Sequence, residues 1–535
     1  MQASLTSGHT NTNQGKVMSK NIHAAIAAPG AGKTQTLINQ LKDSVKSGEK
    51  VVIALPTLKL NQEIIERIKA AGFNPRIINS EETDGKPVSQ VINGVLQNGN
   101  ECVILVTHEG ILRSDPLLLK GYTLVFDEVP SILELDHFAL KIDEARDILD
   151  STEIIKNQLK IKHGLTAKIK NRVNNYKTSS ADRVLKSVLS QAEYKVFSTI
   201  LNKNIVHIEQ GKVDEKEVIH FHIISEKNYL PHIKASKECH ILAANIQGGL
   251  FDLYIKKSGL TYKKSKFTPK PFQYDCDIVI YPMLDKSWSK TQALKNEAGN
   301  CWEHRGRYND QIIDKVLATA TNHNPTGKFL VIKNNWAKFG PNYFPKEVKT
   351  EIDYCGIDCR GIDSYKEKNA AVLLFSGKPS PNDHKSLKVL SDKYGIPTCE
   401  LTHAWTMKNK LEASLQAAAR TAVRNRTNHQ TVHLYVQDIE VASYLKQTYM
   451  TNAVIDHSLT LEAFQSEDGR CCLSRAEQEA ARRLIDECEA QGMKRRNINI
   501  TLVRNFAITP TTARRWTSHL AVVKGDFNNL TQFLL

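Results

Sequence analysis

The sequence predicts an α/β chain of two parallel-sheet units, with a helical insertion in the first and a small all-α region at the C-terminus. Three observations predict it. Between residues 21 and 129 short apolar runs alternate with helical patterns, as a parallel sheet covered by helices on both faces requires. Apolar runs return at 277–282, 328–333, 370–375 and 432–436, so a second unit of the same kind fits 255–460. A glycine-rich turn at 27–34 joins an apolar run to a helical one, the context in which backbone N–H groups collect a phosphate.

The chain has 535 residues, room for about three domains at roughly 100–200 residues each. Its apolar fraction of 41% and charged fraction of 24% are ordinary globular usage, which excludes collagen-like, mucin-like and wholly disordered chains. There is no long apolar run of membrane-spanning length, and the polar N-terminus carries no apolar signal core. The expectation is therefore a cytoplasmic protein with no membrane partner. Lys plus Arg number 72 against 57 Asp plus Glu, a net charge of +15, which points to a polyanion, nucleic acid first. Ten cysteines lie without paired spacing and read as reduced thiols. Cys355-x3-Cys359 and Cys399-x3-His403 match no zinc module by spacing.

Taken in order, residues 1–20 are rich in Ser, Thr, Asn, Gln and Gly and read as a flexible tail. The first domain is placed at 21–250, with strands at 22–28, 51–55, 102–107, 122–126 and 240–246 and helices at 35–47 and 60–71. After Pro130 the strand signal fades, and a Lys-rich stretch reads as a helical insertion at about 137–235. Its charge is either a solvated face or a nucleic-acid contact. Six lysines between 256 and 270 read as a basic connector to the second domain. Residues 466–535 read as helical: an amphipathic helix at 474–491, then 498–506 and 510–520. That outline is either a helix-turn-helix, with Arg514 and Arg515 on the helix that meets DNA, or a small helical cap.

The chemistry is concentrated in two segments. In Ala27-Ala-Pro29-Gly30-Ala31-Gly32-Lys33-Thr34 the glycines let the backbone curl around a phosphate. Lys33 reaches the β- and γ-phosphates of ATP, and Thr34 is a ligand for Mg²⁺. Asp127-Glu128 ends the apolar strand 122–126. Asp127 is the second metal candidate and Glu128 the base that orients the attacking water.

In this order the motifs resemble those of the DExD/H-box helicases of superfamily two. Ala27 to Thr34 is similar to the family's motif I, A-x-x-G-x-G-K-T, and Asp127-Glu128-Val129-Pro130 to motif II. Leu55-Pro56-Thr57 is similar to motif Ia, and Val106-Thr107-His108-Glu109 to the strand-binding segment that follows it. Gln416-x3-Arg420-x3-Arg424 resembles motif VI, with Ala419 where the family has Gly. The spacing by four puts all three side chains on one face of a helix, from which two guanidiniums can meet a γ-phosphate. Arg360-Gly-Ile-Asp363 resembles motif V, which implies a role for Asp363 at the nucleotide. Ala243-Ala244-Asn245 stands where motif III would fall and lacks both its hydroxyls.

The resemblance spans about residues 21–450. It implies two RecA-like domains that hydrolyse ATP with Mg²⁺ in the cleft between them. It also implies Glu128, Gln416, Arg420 and Arg424 as catalytic residues, and Pro56, Thr57, Thr107 and His108 as nucleic-acid contacts. The reading is a helicase or translocase, with DNA favoured over RNA on the strength of the C-terminal helices. A DNA-binding regulator or replication initiator switched by ATP is the alternative. A packaging motor with a nuclease half would need a carboxylate cluster for two metals, for which Asp275, Asp277 and Asp285 give little material.

Overall fold

A computed structural model describes residues 21–81, 83, 86–178, 189–213, 216–295, 311–337, 351–357, 365–463, 475–493, 495–506, 513 and 517. The chain divides into a larger unit (1–283, 324–337, 349–460) and a smaller one (284–323, 338–348, 461–535).

The first part of the chain runs β1 (Asn21–Ile26), α1 (Lys33–Lys46), β2 (Lys50–Leu55), α2 (Leu58–Ala70), β3 (Arg76–Ile78), α3 (Val88–Asn98), β4 (Val103–Thr107), α4 (His108–Leu112) and β5 (Tyr122–Asp127). Every residue of β5 is buried, because helices cover both faces of the sheet. On α1 the buried residues Leu37, Ile38, Leu41 and Ser44 make one stripe, the helical period that packs it onto the strands.

The insertion follows as β6 (Leu133–Lys141), α5 (Arg146–Ser151), β7 (Thr152–Ile155), β8 (Gln158–Ile161), α6 (Thr166–Thr178), α7 (Gln191–Leu201), β9 (Ile205–Val213) and β10 (Lys216–Glu226). Its three helices cover an antiparallel sheet of order β6-β10-β9-β8-β7. The purely helical insertion expected from sequence is thereby corrected to α+β. The strands escaped notice because burial alternates along β6, so charged residues interrupt every apolar run, as on a sheet with one solvated face.

The chain returns through α8 (Leu230–Ala235), β11 (Glu238–Ala243), α9 (Leu250–Lys257) and β12 (Thr261–Lys264). The first sheet is parallel, of order β12-β1-β11-β5-β2-β4-β3. Lys263 and Lys264, expected in a connector, are instead the end of its edge strand.

The second half holds β13 (Ile278–Leu284), α10 (Lys290–Ala293), α11 (Ile312–His323), β14 (Lys328–Lys333), β15 (Glu351–Cys355), β16 (Ala370–Leu374), α12 (Pro381–Tyr394), α13 (Thr398–Thr406), α14 (Ala413–Ala418), β17 (Val432–Asp438), α15 (Ile439–Thr448) and β18 (Val454–Ile455). The second sheet is also parallel, of order β15-β14-β16-β17-β13-β18. The start of α12 is fixed by a capping box between Ser380 and Asp383 with Pro381 behind it, and its end by Gly395 in the left-handed conformation, each a local signal that sets a helix boundary. The fold class is thus α/β with two RecA-like sheets.

The smaller unit includes α10, α11 and two C-terminal helices, α16 (Arg475–Ala490) and α17 (Arg495–Phe506). α16 and α17 pack through Ala481, Ile485, Cys488, Ile498 and Leu502, with Ala513 beside them. Arg514 and Arg515 lie outside the described residues.

Candidate active site

The carboxyl ends of β1, β11 and β5 lie side by side in the first sheet, and all three carry candidate residues: 27–34, 243–245 and 127–128. Ligands of parallel sheets gather at that end of the strands. Gly30 and Gly32 have φ of +83° and +86°, a left-handed pair that L side chains resist and that turns successive N–H groups inward. Gly32 is also the residue at the start of α1, with no side-chain cap, so the first N–H groups of the helix face the loop as anion donors. Lys33 Nζ donates to the carbonyls of Ala27 at 2.6 Å and Ala28 at 3.0 Å. Burial lowers its pKa to about 8, against the pull of Asp127, Glu128 and Glu412 and with Arg424 adding to the fall.

Thr34 Oγ1 donates to both carboxylate oxygens of Asp127 at 3.2 Å. A hydroxyl and a carboxylate facing each other at the end of a phosphate loop are the hard oxygen donors that Mg²⁺ takes, so these residues fit the ion. Glu128 has φ +76°, a conformation costing about 1–3 kcal/mol for a non-glycine residue and typical of functional sites. Its N–H donates to the Leu242 carbonyl at 2.9 Å, which ties the carboxylate pair to β11.

The loop forms one wall of a cavity of about 840 Å³, whose opposite wall includes Glu412, Gln416, Arg420 and Arg424. Arg424 covers the loop: a Cβ on Gly30 would come within 3.1 Å of its Nε. Gln416, Arg420 and Arg424 therefore line one cavity with the loop, but by another route than the single helix expected from their spacing. α14 ends at Ala418, and Ala422–Arg424 form a short 3-10 turn. The helix stops because the Thr421 hydroxyl takes the Ala418 carbonyl at 2.7 Å, a side-chain bond that competes with the helix ladder.

Register pairs Leu55 of β2 with Thr107 of β4, so Pro56-Thr57 and Thr107-His108 are neighbours at the same sheet end. Thr107 caps α4 by accepting from the Gly110 N–H at 2.9 Å. His108 is buried, with its ring edge-on to Phe126, so its side chain packs the core and the expected contact with a strand is corrected. Asp363 lies outside the described residues. Sequence reasoning missed Glu412, whose helical spacing of four from Gln416 was the available signal, and Tyr274, which donates to the Pro29 carbonyl at 2.8 Å.

Residues 10–176 match the family model for the DEAD/DEAH box helicase. The chain carries a DEAD/DEAH box helicase domain. It is an ATP-hydrolysing enzyme of the helicase type. The matched helicase segment contains the loop and the Asp127-Glu128 pair, while Gln416, Arg420 and Arg424 stand on the geometry of the cavity. No curated protein matches the chain. Among solved structures, S. tokodaii Xpd4 is similar at 11% identity and a TM-score of 0.44, over 82% of this chain and 96% of that one. S. cerevisiae Dbp5, bound to RNA and ADP BeF3, is similar at 12% identity and a TM-score of 0.33, over 82% of this chain and 85% of that one.

Proposed function

We propose that this enzyme couples ATP hydrolysis in the cavity to movement along, or separation of, nucleic acid, and that its track is DNA rather than RNA. One observation carries the reading: residues from the two parallel-sheet halves, Lys33 and Thr34 on one side and Gln416, Arg420 and Arg424 on the other, line the same cavity. The loop N–H groups and Lys33 hold the phosphates, with Pro29 and Ala31 as backbone of the cradle. Thr34 and Asp127 hold Mg²⁺, which supplies charge neutralisation on the phosphate oxygens. Glu128 orients the attacking water and takes up its proton. Gln416, Arg420 and Arg424 meet the charge that develops on the γ-phosphate, a term worth about 10³–10⁵ in rate where a guanidinium supplies it.

Pro56, Thr57 and the α4 turn that begins after Thr107 are assigned to the backbone of the strand, with Asp363 at the nucleotide. The preference for DNA rests on the basic C-terminal sequence, Lys494-Arg495-Arg496 with Arg514 and Arg515, and on the net charge of +15. The scattered cysteines, six of which are outside any disulfide among the described residues, support a reducing cytoplasm as the place of work.

Steady-state ATP hydrolysis decides it, measured with and without single-stranded DNA, duplex DNA and RNA. Wild-type protein is compared with Lys33→Ala, Glu128→Gln and Arg420→Ala. Stimulation by DNA above RNA, lost in all three variants, is the expected result. Slow turnover that no nucleic acid changes would overturn the motor and favour an ATP-switched DNA-binding regulator.

A further inference from the structure

Glu412 stands in the cavity wall but belongs to none of the motif residues. It is the last residue of a π-turn, Met407–Glu412, set between α13 and α14; such turns are rare and concentrate at functional positions. This turn is gripped from several sides. Lys410, fully buried, is held by Asp438 at 2.8 and 3.0 Å and by Glu440. The Asn409 carbonyl lies over Gly377, where φ is +65° and a Cβ would come 2.2 Å from that oxygen. Asn409 Nδ2 donates to the Trp405 carbonyl at 3.0 Å.

From this fixed turn the Glu412 carboxyl is linked to both sheets through one tyrosine. The Tyr444 hydroxyl on α15 donates to it and accepts at 3.4 Å from the Nδ2 of Asn245, which follows β11 of the first sheet. Asn245 Nδ2 also donates to the Gln247 carbonyl at 3.2 Å, and its Oδ1 accepts from the Gln247 N–H at 2.9 Å, which holds the amide in place. Burial pushes the Glu412 carboxyl up from its ordinary range, against Tyr444, Asn245 and the charge of Lys33. Through the Tyr444 hydroxyl this carboxyl thus ties the end of β11 to the helix that carries Gln416, one turn further on.

We propose that Glu412 is a positioning residue: its link through Tyr444 to Asn245 sets where Gln416 and Arg420 stand over the phosphate loop, and so governs the hydrolytic step more than nucleotide binding. The proposal rests on the cavity being the ATP site.

The test uses the full chain, with steady-state kinetics and equilibrium binding of a fluorescent ATP analogue for Glu412→Ala, Glu412→Gln, Asn245→Ala and the double alanine variant. Each single alanine change is expected to lower kcat by about 10–100-fold, the scale of a misplaced catalytic group, while KM and the analogue Kd move less than about 3-fold. The double variant falls no lower than the worse single. Glu412→Gln, whose Oε1 still accepts from Tyr444, restores most of the rate. Additive losses, a glutamine no better than alanine, or a Kd that moves as far as kcat overturn the proposal. Asn245→Ala leaves the π-turn and its buried ion pair intact, so it tests the tie even where Glu412→Ala fails to fold. If wild-type turnover does not depend on Lys33, the ATP site itself is wrong; if it does and Glu412→Ala is indifferent, only the positioning role fails.

Discussion

The two RecA-like halves meet at two places of different construction. At the cavity the contact is made by small residues, by Arg424 over Gly30 and by neutral donors. Ala28, Ala31 and Ala244 pack into the core that holds Leu415 and Val423; Tyr274 reaches the Pro29 carbonyl at 2.8 Å and Tyr449 the Ala244 carbonyl at 2.6 Å. At the other place the insertion meets α12 and α13. There Leu133, Ile205 and Ile224 share an apolar cluster with Leu387, Leu390, Leu401 and Ala404, rimmed by Lys385–Glu209 and Lys393–Glu226 ion pairs. Hydroxyl-to-carbonyl bonds are worth about 1 kcal/mol each because water replaces them, whereas parting branched side chains exposes apolar area at about 25 cal/mol per Å². On that comparison the seam should part less readily than the cavity contact, and the insertion is packed against the second half rather than a free arm.

The largest expected effect separates chemistry from this architecture. Arg420→Ala should lower kcat by about 10³-fold or more while leaving thermal unfolding within a degree or two of wild type. A fall in melting temperature to match would show that Arg420 is a structural contact. Leu387→Ala attacks the other place. Leu387 is fully buried in the seam, and truncation there should cost about 2–5 kcal/mol. Read by hydrogen exchange, the loss should appear in α12, β6 and β10 while β2 and β5 of the first sheet keep their protection. Loss spread evenly over the chain would mean that the seam has no stability of its own.

Acid should act on the seam before the cavity. His222 is fully buried, both its ring nitrogens lack hydrogen bonds, and Glu209 stands 3.9 Å away. Burial, with His137 adding to it, lowers its pKa to about 4. Burial also lowers His137 and His207. The surrounding charges are mixed: Glu209 faces His207 and His222, Asp136 and Asp383 face His137, and Lys385 faces all three. A depressed pKa means that the unfolded chain binds the extra protons, so stability is full above pH 6.5 and is lost as pH falls from there toward 4. Amide protection in β6, β9 and β10 should drop between pH 7 and 5, and His222→Gln should flatten that dependence. An equal drop in β2 and β5 would place the acid-sensitive group elsewhere.

What the sequence disclosed follows the same division. The loop and the Asp127-Glu128 pair are local patterns, in which glycine and charge sit beside a strand end, and they were legible. Gln416, Arg420 and Arg424 were legible as a set because they recur at a spacing of four, and all three line the cavity, but they were not legible as a shape: Thr421 breaks the helix by donating to the Ala418 carbonyl, a choice no spacing rule records. His108 was misread because its burial against Phe126 depends on strand order. Glu412 was missed because it is an ordinary polar residue until the fold brings it to the cavity, and Asn245 was noted only for the hydroxyls its segment lacks. The insertion sheet was hidden because Glu134, Asp136 and His137 break up the apolar residues of β6, and His220 and His222 those of β10.

The smallest expected effect is the most discriminating for the seam. Lys385 pairs with Glu209 across it, with both side chains partly exposed, and such pairs are worth about 0.2–1 kcal/mol and weaken in salt. At pH 7.5 Lys385→Ala should therefore loosen α12 against β9 and β10 by no more than that. The ammonium also opposes protonation of His137, His207 and His222. Removing it raises their pKa values in the folded state, narrows the gap to the unfolded chain, and so reduces what acid takes away. The variant should be slightly less protected than wild type at pH 7.5 and equal to it, or better protected, at pH 5. A deficit of the same size at both pH values would show that the histidines do not feel Lys385 and that their depressed basicity comes from burial alone.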